Sequence, residues 1–571
     1  MRDKKEFHAI LTQISGGLFR EYGRLAGDFD FNRYVLKIHF VQDAAEDGPT
    51  LFVVRVPQFI SEFPERLFSS AVRRTALEDL LVRKISESIE GMAHFNSSGT
   101  ARRRFQIARL GQKILPRSSV IVTDEYVEAR LYASLPREGE VIPGDAVLEL
   151  FFEDLPAIVN TALIYCNLDR DEVEHTVGLM EDTDVIRQML PTQGMVGFVG
   201  DGLLLSRKPG TDLPDFTRNT SLKVDVSARL EVEVPHLSKV YGAGIPAGIT
   251  VIMGDAYSGR IEIMQALASG IYNHIAGDGR ELAITVPDAV EIRSEPGRSI
   301  AQVNVSAFVS GHACGCAPEA CSTNSADAFL SQAAATVEAL QAGARVLLFD
   351  EATSCSAFLS SDQRLTALLG ARSGIIPLAA RARQLADDLG VSLVIGGETC
   401  VAEFIPIADR VLRVNRNVIS DITEEARKAT VAQPPPRAAA IDVAALAEQQ
   451  RWIVPSSIDP TLGREDSYIC APNVHTLCFG RSTIDLSAVS QLADIQQTET
   501  IAHILYYAKL RYMDESHPLR EILDLVDRDL STEGLECLAR ELRGDLARPR
   551  RYEIAAALNR LSTLRVQNPT D

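Results

Sequence analysis

Short apolar runs and helical stripes alternate along the chain. Residues 34–41 and 51–56 are apolar or alternating at strand length and predict strands. Over 73–89 the spacing predicts a helix, with Ala76, Leu77, Leu80, Leu81 and Ile85 on one face. From about residue 226 the pattern changes. Leu230, Val232 and Val234 alternate with glutamates up to Pro235, and the apolar run 249–253 stops at Gly254 before a helical pattern over 260–272. Two further buried-strand runs, 346–349 and 393–395, each follow a helical stretch, 333–342 and 379–389. Strand and helix in that order predict an α/β domain with a mostly parallel sheet and helical crossovers. Residues 426–450 read as a linker, because Gln433-Pro434-Pro435-Pro436-Arg437 favours an extended chain; the Ala-rich run after it predicts a short helix. Beyond 451 the pattern is mostly helical, as over 492–510 and 552–564. The expected division is an α+β domain over 1–225, an α/β domain over 226–425, the linker 426–450 and a helical domain over 451–571.

Length and charge narrow the function. A chain of 571 residues is expected to hold three or four domains. With 58 Lys and Arg against 77 Asp and Glu, the net charge of −19 argues against a surface that coats nucleic acid or anionic membrane, though a local basic groove stays open. No apolar run reaches the ~18–20 residues of a membrane span. Acids among the first residues speak against a secretory signal or a mitochondrial presequence. Nine cysteines in so long a chain fit a reducing compartment, so the cytoplasm is expected.

The turn at residue 254 carries the clearest chemistry. A phosphate-cradling loop needs a strand end, glycine-permitted backbone and a helix N-terminus aimed at the anion, with the pattern G-x-x-x-x-G-K-[ST]. The run here is Gly254-Asp255-Ala256-Tyr257-Ser258-Gly259-Arg260-Ile261-Glu262. Both glycines stand at the required spacing. The lysine position holds Arg260, the hydroxyl position holds Ile261, and Glu262 adds a negative charge. A plain strand-to-helix turn would explain this segment equally well. The apolar strand 346–349, ending in Asp350-Glu351, shifts the balance. It has the form of a Walker B strand, in which the Asp orients Mg²⁺ and the Glu polarises the attacking water.

Beyond these motifs, the chain resembles the ABC-class predicted ATPases that stand apart from transporter subunits. The resemblance runs through Gly242-Ala243-Gly244-Ile245-Pro246, Ile271-Tyr272-Asn273-His274-Ile275, Ile292-Arg293, Gly297-Arg298-Ser299, Ser331-Gln332-Ala333-Ala334, Glu338-Ala339-Leu340 and Gly343-Ala344-Arg345-Val346. It continues in Ser457-Ile458-Asp459-Pro460, Phe479-Gly480-Arg481, Ile484-Asp485-Leu486-Ser487 and Gly544-Asp545-Leu546-Ala547-Arg548-Pro549-Arg550-Arg551. It implies a P-loop NTPase-type central domain between an α+β N-terminal and a helical C-terminal domain. A homodimer is implied too, since such sites form between the phosphate loop of one subunit and a signature helix of the other, and so is a link to RNA, with no membrane partner. Residues 254–262, Asp350, Ser331 and Gln332 would then contact ATP or ADP, Asp350 would hold Mg²⁺ and Glu351 would be catalytic. This chain departs from the family pattern at the chemistry itself. Arg260-Ile261-Glu262 stand for the family's Lys-Ser-Thr, Asp327-Ala328-Phe329-Leu330 for its Ser-Gly-Ser-Thr, and Ala352 for an acid. Each preorganised donor removed lowers a rate by ~10²–10³, so weak nucleotide and Mg²⁺ binding with little hydrolysis is expected. The alternatives are a working ATPase with unusual metal coordination, or a scaffold that partners an intact paralogue.

Other constellations have plainer explanations beside their functional ones. Arg102, Arg103, Arg104, Arg109, Lys113 and Arg117 form a basic run suited to phosphates, with Phe105 placed to stack on a base; a solvated face would look the same. A second cluster, Arg540, Arg543, Arg548, Arg550 and Arg551, has Glu541 and Asp545 interleaved to pair with it. His312, Cys314, Cys316 and Cys321 do not follow a usual zinc spacing and read as loop thiols, so no zinc is expected. Lone histidines such as His94, His274 and His475 read as structural, with His274 the one nearest the phosphate loop in a family-like run.

Overall fold

A computed structural model describes the chain apart from residues 40, 42–47, 93, 96–100, 103, 219–220, 312–314, 362–373, 431–437, 464–466, 540 and 568–571, and without the side chains of 94, 95, 101, 102 and 218. It forms two compact units, 1–181 with 535–548, and 182–534 with 549–571.

In the first unit, strands Arg2–Asp3, Gly27–Asp30, Val35–Ile38, Thr50–Pro57, Tyr126–Ala133 and Phe105–Gln106 make one sheet in that spatial order. Its apolar face packs on phenylalanines, including Phe7 edge-on to Phe29 at 4.6 Å and Phe52 edge-on to Phe151 at 5.5 Å. Helix Ala71–Gly91 starts at Ser70, whose side chain accepts the Arg73 N–H, and buries Ala76, Leu77, Leu80, Leu81 and Ile85 as the spacing predicts. Glu78 on this helix accepts the Val122 N–H at 2.9 Å. Burial pushes its carboxyl up to about 7, against the pull of that hydrogen bond and of Arg74. The folded chain therefore keeps a proton that an unfolded glutamate loses near 4.5. Stability falls as pH rises through that window, with a limiting slope of about 1.4 kcal/mol per unit. Glu78→Gln keeps an acceptor for Val122 and removes the charge. Urea midpoints of the variant should vary less between about pH 5 and 7 than those of the wild type, and parallel profiles would contradict this.

The second unit is built on a seven-stranded sheet in the order Lys223–Val224, Val418–Asp421, Arg410–Asn415, Ile249–Met253, Ser392–Gly397, Val346–Asp350, Ala289–Glu291. The last five run parallel, as expected from the alternation of strand and helix. The pair Arg410–Asn415 and Val418–Asp421 is antiparallel. Val251, Leu347, Phe349, Leu393 and Ile395 are fully buried in the central strands, which is why those segments read as unbroken apolar runs. Helices Arg260–Ser269, Ala328–Gln341 and Leu378–Leu389 supply crossovers. An antiparallel sheet joins Arg229–Val234, Ser238–Pro246, Met195–Gly200 and Ala283–Thr285. The predicted short helix is Ala444–Glu448. Its Leu446 is buried, and Gln341 Nε2 donates to the Leu446 carbonyl at 3.3 Å. Helices Ile495–Arg511, Leu519–Thr532 and Arg551–Arg560 follow the predicted pattern. A three-stranded antiparallel sheet, Ile469–Asn473, Thr476–Phe479 and Ser482–Asp485, does not announce itself in the apolar pattern.

Candidate nucleotide site

The loop after strand Ile249–Met253 owes its glycines to close approaches. A Cβ on Gly254 would lie 2.5 Å from Ser258 Oγ and 2.8 Å from the Val414 carbonyl. Gly259 has φ +98° and faces Asn417, whose Oδ1 would be 2.2 Å from a Cβ. It opens helix Arg260–Ser269. The backbone frame of a phosphate loop is therefore present. Two of its side chains bond back to the loop's own backbone. The Asp255 carboxylate accepts the Tyr257 N–H at 3.1 Å, and Ser258 Oγ accepts the Arg260 N–H at 3.3 Å while donating to the Asp255 carbonyl at 2.8 Å. The N–H groups of Ile261 and Glu262, in the first helical turn, have no acceptor in the helix behind them. Ala256 contributes only a methyl group, and the Tyr257 ring is exposed.

Arg260 reaches back under the loop. Its Nη1 donates to Asp350 Oδ1 at 2.6 Å and its Nε to the Gly254 carbonyl at 3.2 Å, with both charged side chains only 5% exposed. Gly396 on the intervening strand makes the room, since a Cβ there would lie 2.6 Å from Met264 Cγ and 3.3 Å from Arg260 Nη1. Asp350 Oδ1 also accepts the Ala352 N–H at 3.1 Å. The sequence brings this pair together from 90 residues apart. Glu351 is as fully engaged. Its carboxylate accepts the N–H groups of Glu398 at 2.6 Å, Thr399 at 3.0 Å and Cys400 at 3.3 Å, and the Thr399 hydroxyl. Burial pushes the Glu351 carboxyl up, but the Thr399 hydroxyl and the Glu398 and Thr399 N–H groups together hold it below the usual glutamate range. A carboxylate so held is a weak proton acceptor.

The residues do not fit a magnesium ion. Magnesium wants near-octahedral oxygen ligands. Ile261 offers none, and Asp350 spends its charge on Arg260. The Thr353 hydroxyl donates to the Asp350 carbonyl, and Ser354 Oγ accepts from Gln332.

Three family models match the chain. Residues 4–166 match the ABC-class ATPase N-terminal domain, 169–450 the ABC ATPase P-loop domain, and 469–567 the MRB1590 C-terminal domain. The chain belongs to the ABC-class ATPases. Its P-loop domain is of a nucleotide-binding kind. Among solved structures, the chain is similar to cbiO1 from Clostridium perfringens, described as part of the ABC transporter complex cbiONQ. The identity is 12% over 42% of this chain and 93% of that one, with a TM-score of 0.24. No curated protein matches.

In the helix to which the resemblance assigns the signature motif, the N-terminal end is closed by the chain itself. Asp327 caps helix Ala328–Gln341 itself, accepting the Leu330 N–H at 2.7 Å, so this helix end satisfies its own donor. Phe329 and Leu330 are buried. Ser331 Oγ accepts the Glu295 N–H at 2.9 Å and donates to the Ala328 carbonyl. Gln332 is fully buried, accepting the Cys355 N–H at 2.8 Å and donating to Ser354 Oγ at 2.9 Å, so it holds the segment after the Asp350-Glu351 pair. Spacing alone could not have separated this bracing role from a ligand contact. Thr399, whose N–H and hydroxyl both donate to Glu351, likewise carries no sequence signal.

The basic run is only partly outward. Arg103, and the Arg102 side chain, lie outside the described residues. Arg104 pairs with Asp154 at 3.2 Å and with Glu149. Arg117 is 8% exposed, and its backbone bridges to Ala547. Lys113 is half-buried and Arg109 is exposed. Phe105 corrects the expectation of a stacking platform. It is 2% exposed and packs edge-on to Phe52 at 6.4 Å, because its strand joins the sheet edge with that ring facing the core. In the second cluster Arg543 pairs with Asp545, Arg550 with Glu553 and Arg551 with Asp524, the structural outcome. Arg540 is outside the described residues, as are His312 and Cys314, and so is the side chain of His94. Cys316 and Cys321 form a disulfide, which corrects the expectation of loop thiols. Cys321 is fully buried there, and with both sulfurs in the bond neither offers a thiolate to a metal. His274 is buried, 2.7 Å from Asp278, which also pairs with Arg207. His475 is exposed. Among the described residues no helix is long and apolar enough to cross a membrane.

Proposed function

We propose that this protein is an ABC-class nucleotide binder that hydrolyses ATP very slowly or not at all, and that works as a homodimer on RNA. The observation that carries the reading is the buried Arg260–Asp350 pair, which puts a fixed guanidinium where a hydrolysing site keeps its carboxylate for metal. The self-capped helix at Asp327 and the fully occupied Glu351 carboxylate support it. The retained glycine frame and the N–H groups of Ile261 and Glu262 support nucleotide binding itself. The dimer and the RNA link rest on the family resemblance, with Arg109 as an exposed cation within the basic run.

A ligand bound only by the folded chain raises its stability. ATP at about ten times its Kd should therefore stabilise it by about 1.4 kcal/mol, read as a rise in Tm. No rise at any ATP concentration would contradict nucleotide binding. For RNA, anisotropy of a labelled single strand titrated over a range of salt should give a steep slope. Arg109→Glu should flatten that slope by roughly one unit. An unchanged slope would remove Arg109 from the interface.

A further inference from the structure

We infer that the Arg260 guanidinium replaces the divalent cation in this site, so that nucleotide is held without metal. The inference rests on the nucleotide-binding reading above and says how that site works. A hard divalent ion in a phosphate loop needs oxygen ligands from the protein. Here the side chains that a metal would need are mostly engaged within the chain. Asp350 holds Arg260 Nη1 and the Ala352 N–H. Thr353 donates to the Asp350 carbonyl, Ser354 accepts from Gln332, and Glu351 braces 398–400. Ile261 contributes no oxygen.

The charge balance points the same way. Arg260 and Asp350 are both nearly buried and neutralise one another, and parting them to admit a cation would leave a guanidinium unpaired in a low-dielectric setting. The guanidinium is also aimed. Nη1 is fixed by Asp350 and Nε by the Gly254 carbonyl at the head of the loop, while Nη2 has no hydrogen-bond partner among the described residues. A planar fork held on one side and open on the other suits a phosphate oxygen, which it would bridge to the strand carboxylate as a metal ion does elsewhere.

The test is ATP binding measured by calorimetry with the full-length chain, once in excess magnesium and once in excess EDTA. The two Kd values should agree within about twofold. Binding that is tighter by about tenfold or more with magnesium would overturn the inference and leave the nucleotide-binding reading standing. No binding in either buffer would sink that reading and the inference with it. The double variant Arg260→Lys with Ile261→Thr replaces the guanidinium fork by a compact ammonium and supplies a hydroxyl oxygen for a metal. It should acquire magnesium dependence that the wild type lacks, and a double variant that binds equally well in both buffers would count against Arg260 as the stand-in.

Discussion

Asp350→Asn is expected to destabilise the second unit, 182–534 with 549–571, by about 3–5 kcal/mol, because it leaves the Arg260 guanidinium buried without a counter-charge. Asparagine still offers an oxygen to Arg260 Nη1 and to the Ala352 N–H, so the loss isolates the charge rather than the shape. Replacing both partners, Asp350→Leu with Arg260→Met, should restore most of the stability. A buried pair exchanged for packed apolar groups is close to neutral, and the two sites touch, so their effects do not add. Urea unfolding can be followed by Trp452, the single tryptophan, which lies in this unit. A single variant as stable as the wild type would show that Arg260 does not need Asp350.

The second large effect is on turnover. Relatives with Lys-Ser-Thr in the loop would be expected to exceed this chain by on the order of 10³ or more, since the metal hydroxyl, the lysine and the signature donors are all altered and each such donor is worth roughly 2.7–4 kcal/mol. The structure adds a cause that substitution alone does not supply. Glu351 accepts from three backbone N–H groups and one hydroxyl, which lowers its affinity for the proton a base must take. Its stabilising hydrogen bonds are fully present above the ordinary glutamate pKa and are lost as pH falls below it.

Local pattern made the frame of this site legible. Gly254 and Gly259 are forced by near contacts within the loop and to adjacent strands, and the runs 249–253 and 346–349 are apolar because those strands are covered on both faces. What stayed hidden depends on long-range partners. Nothing in Arg260 itself says that it meets a carboxylate 90 residues on, and nothing in Phe105 says that its ring packs on Phe52. The sheet over 469–485 is made of short strands with half-exposed residues, too weakly patterned to stand out. The Cys316–Cys321 pairing is a matter of loop closure that composition argued against.

Phosphate release from ATP in excess magnesium by the purified full-length chain tests the central claim most directly. The wild type is expected to release phosphate no faster than a protein-free control. A rate comparable with that of a relative carrying the intact loop, and abolished by Glu351→Gln, would show that the inward-turned arginine does not silence the site.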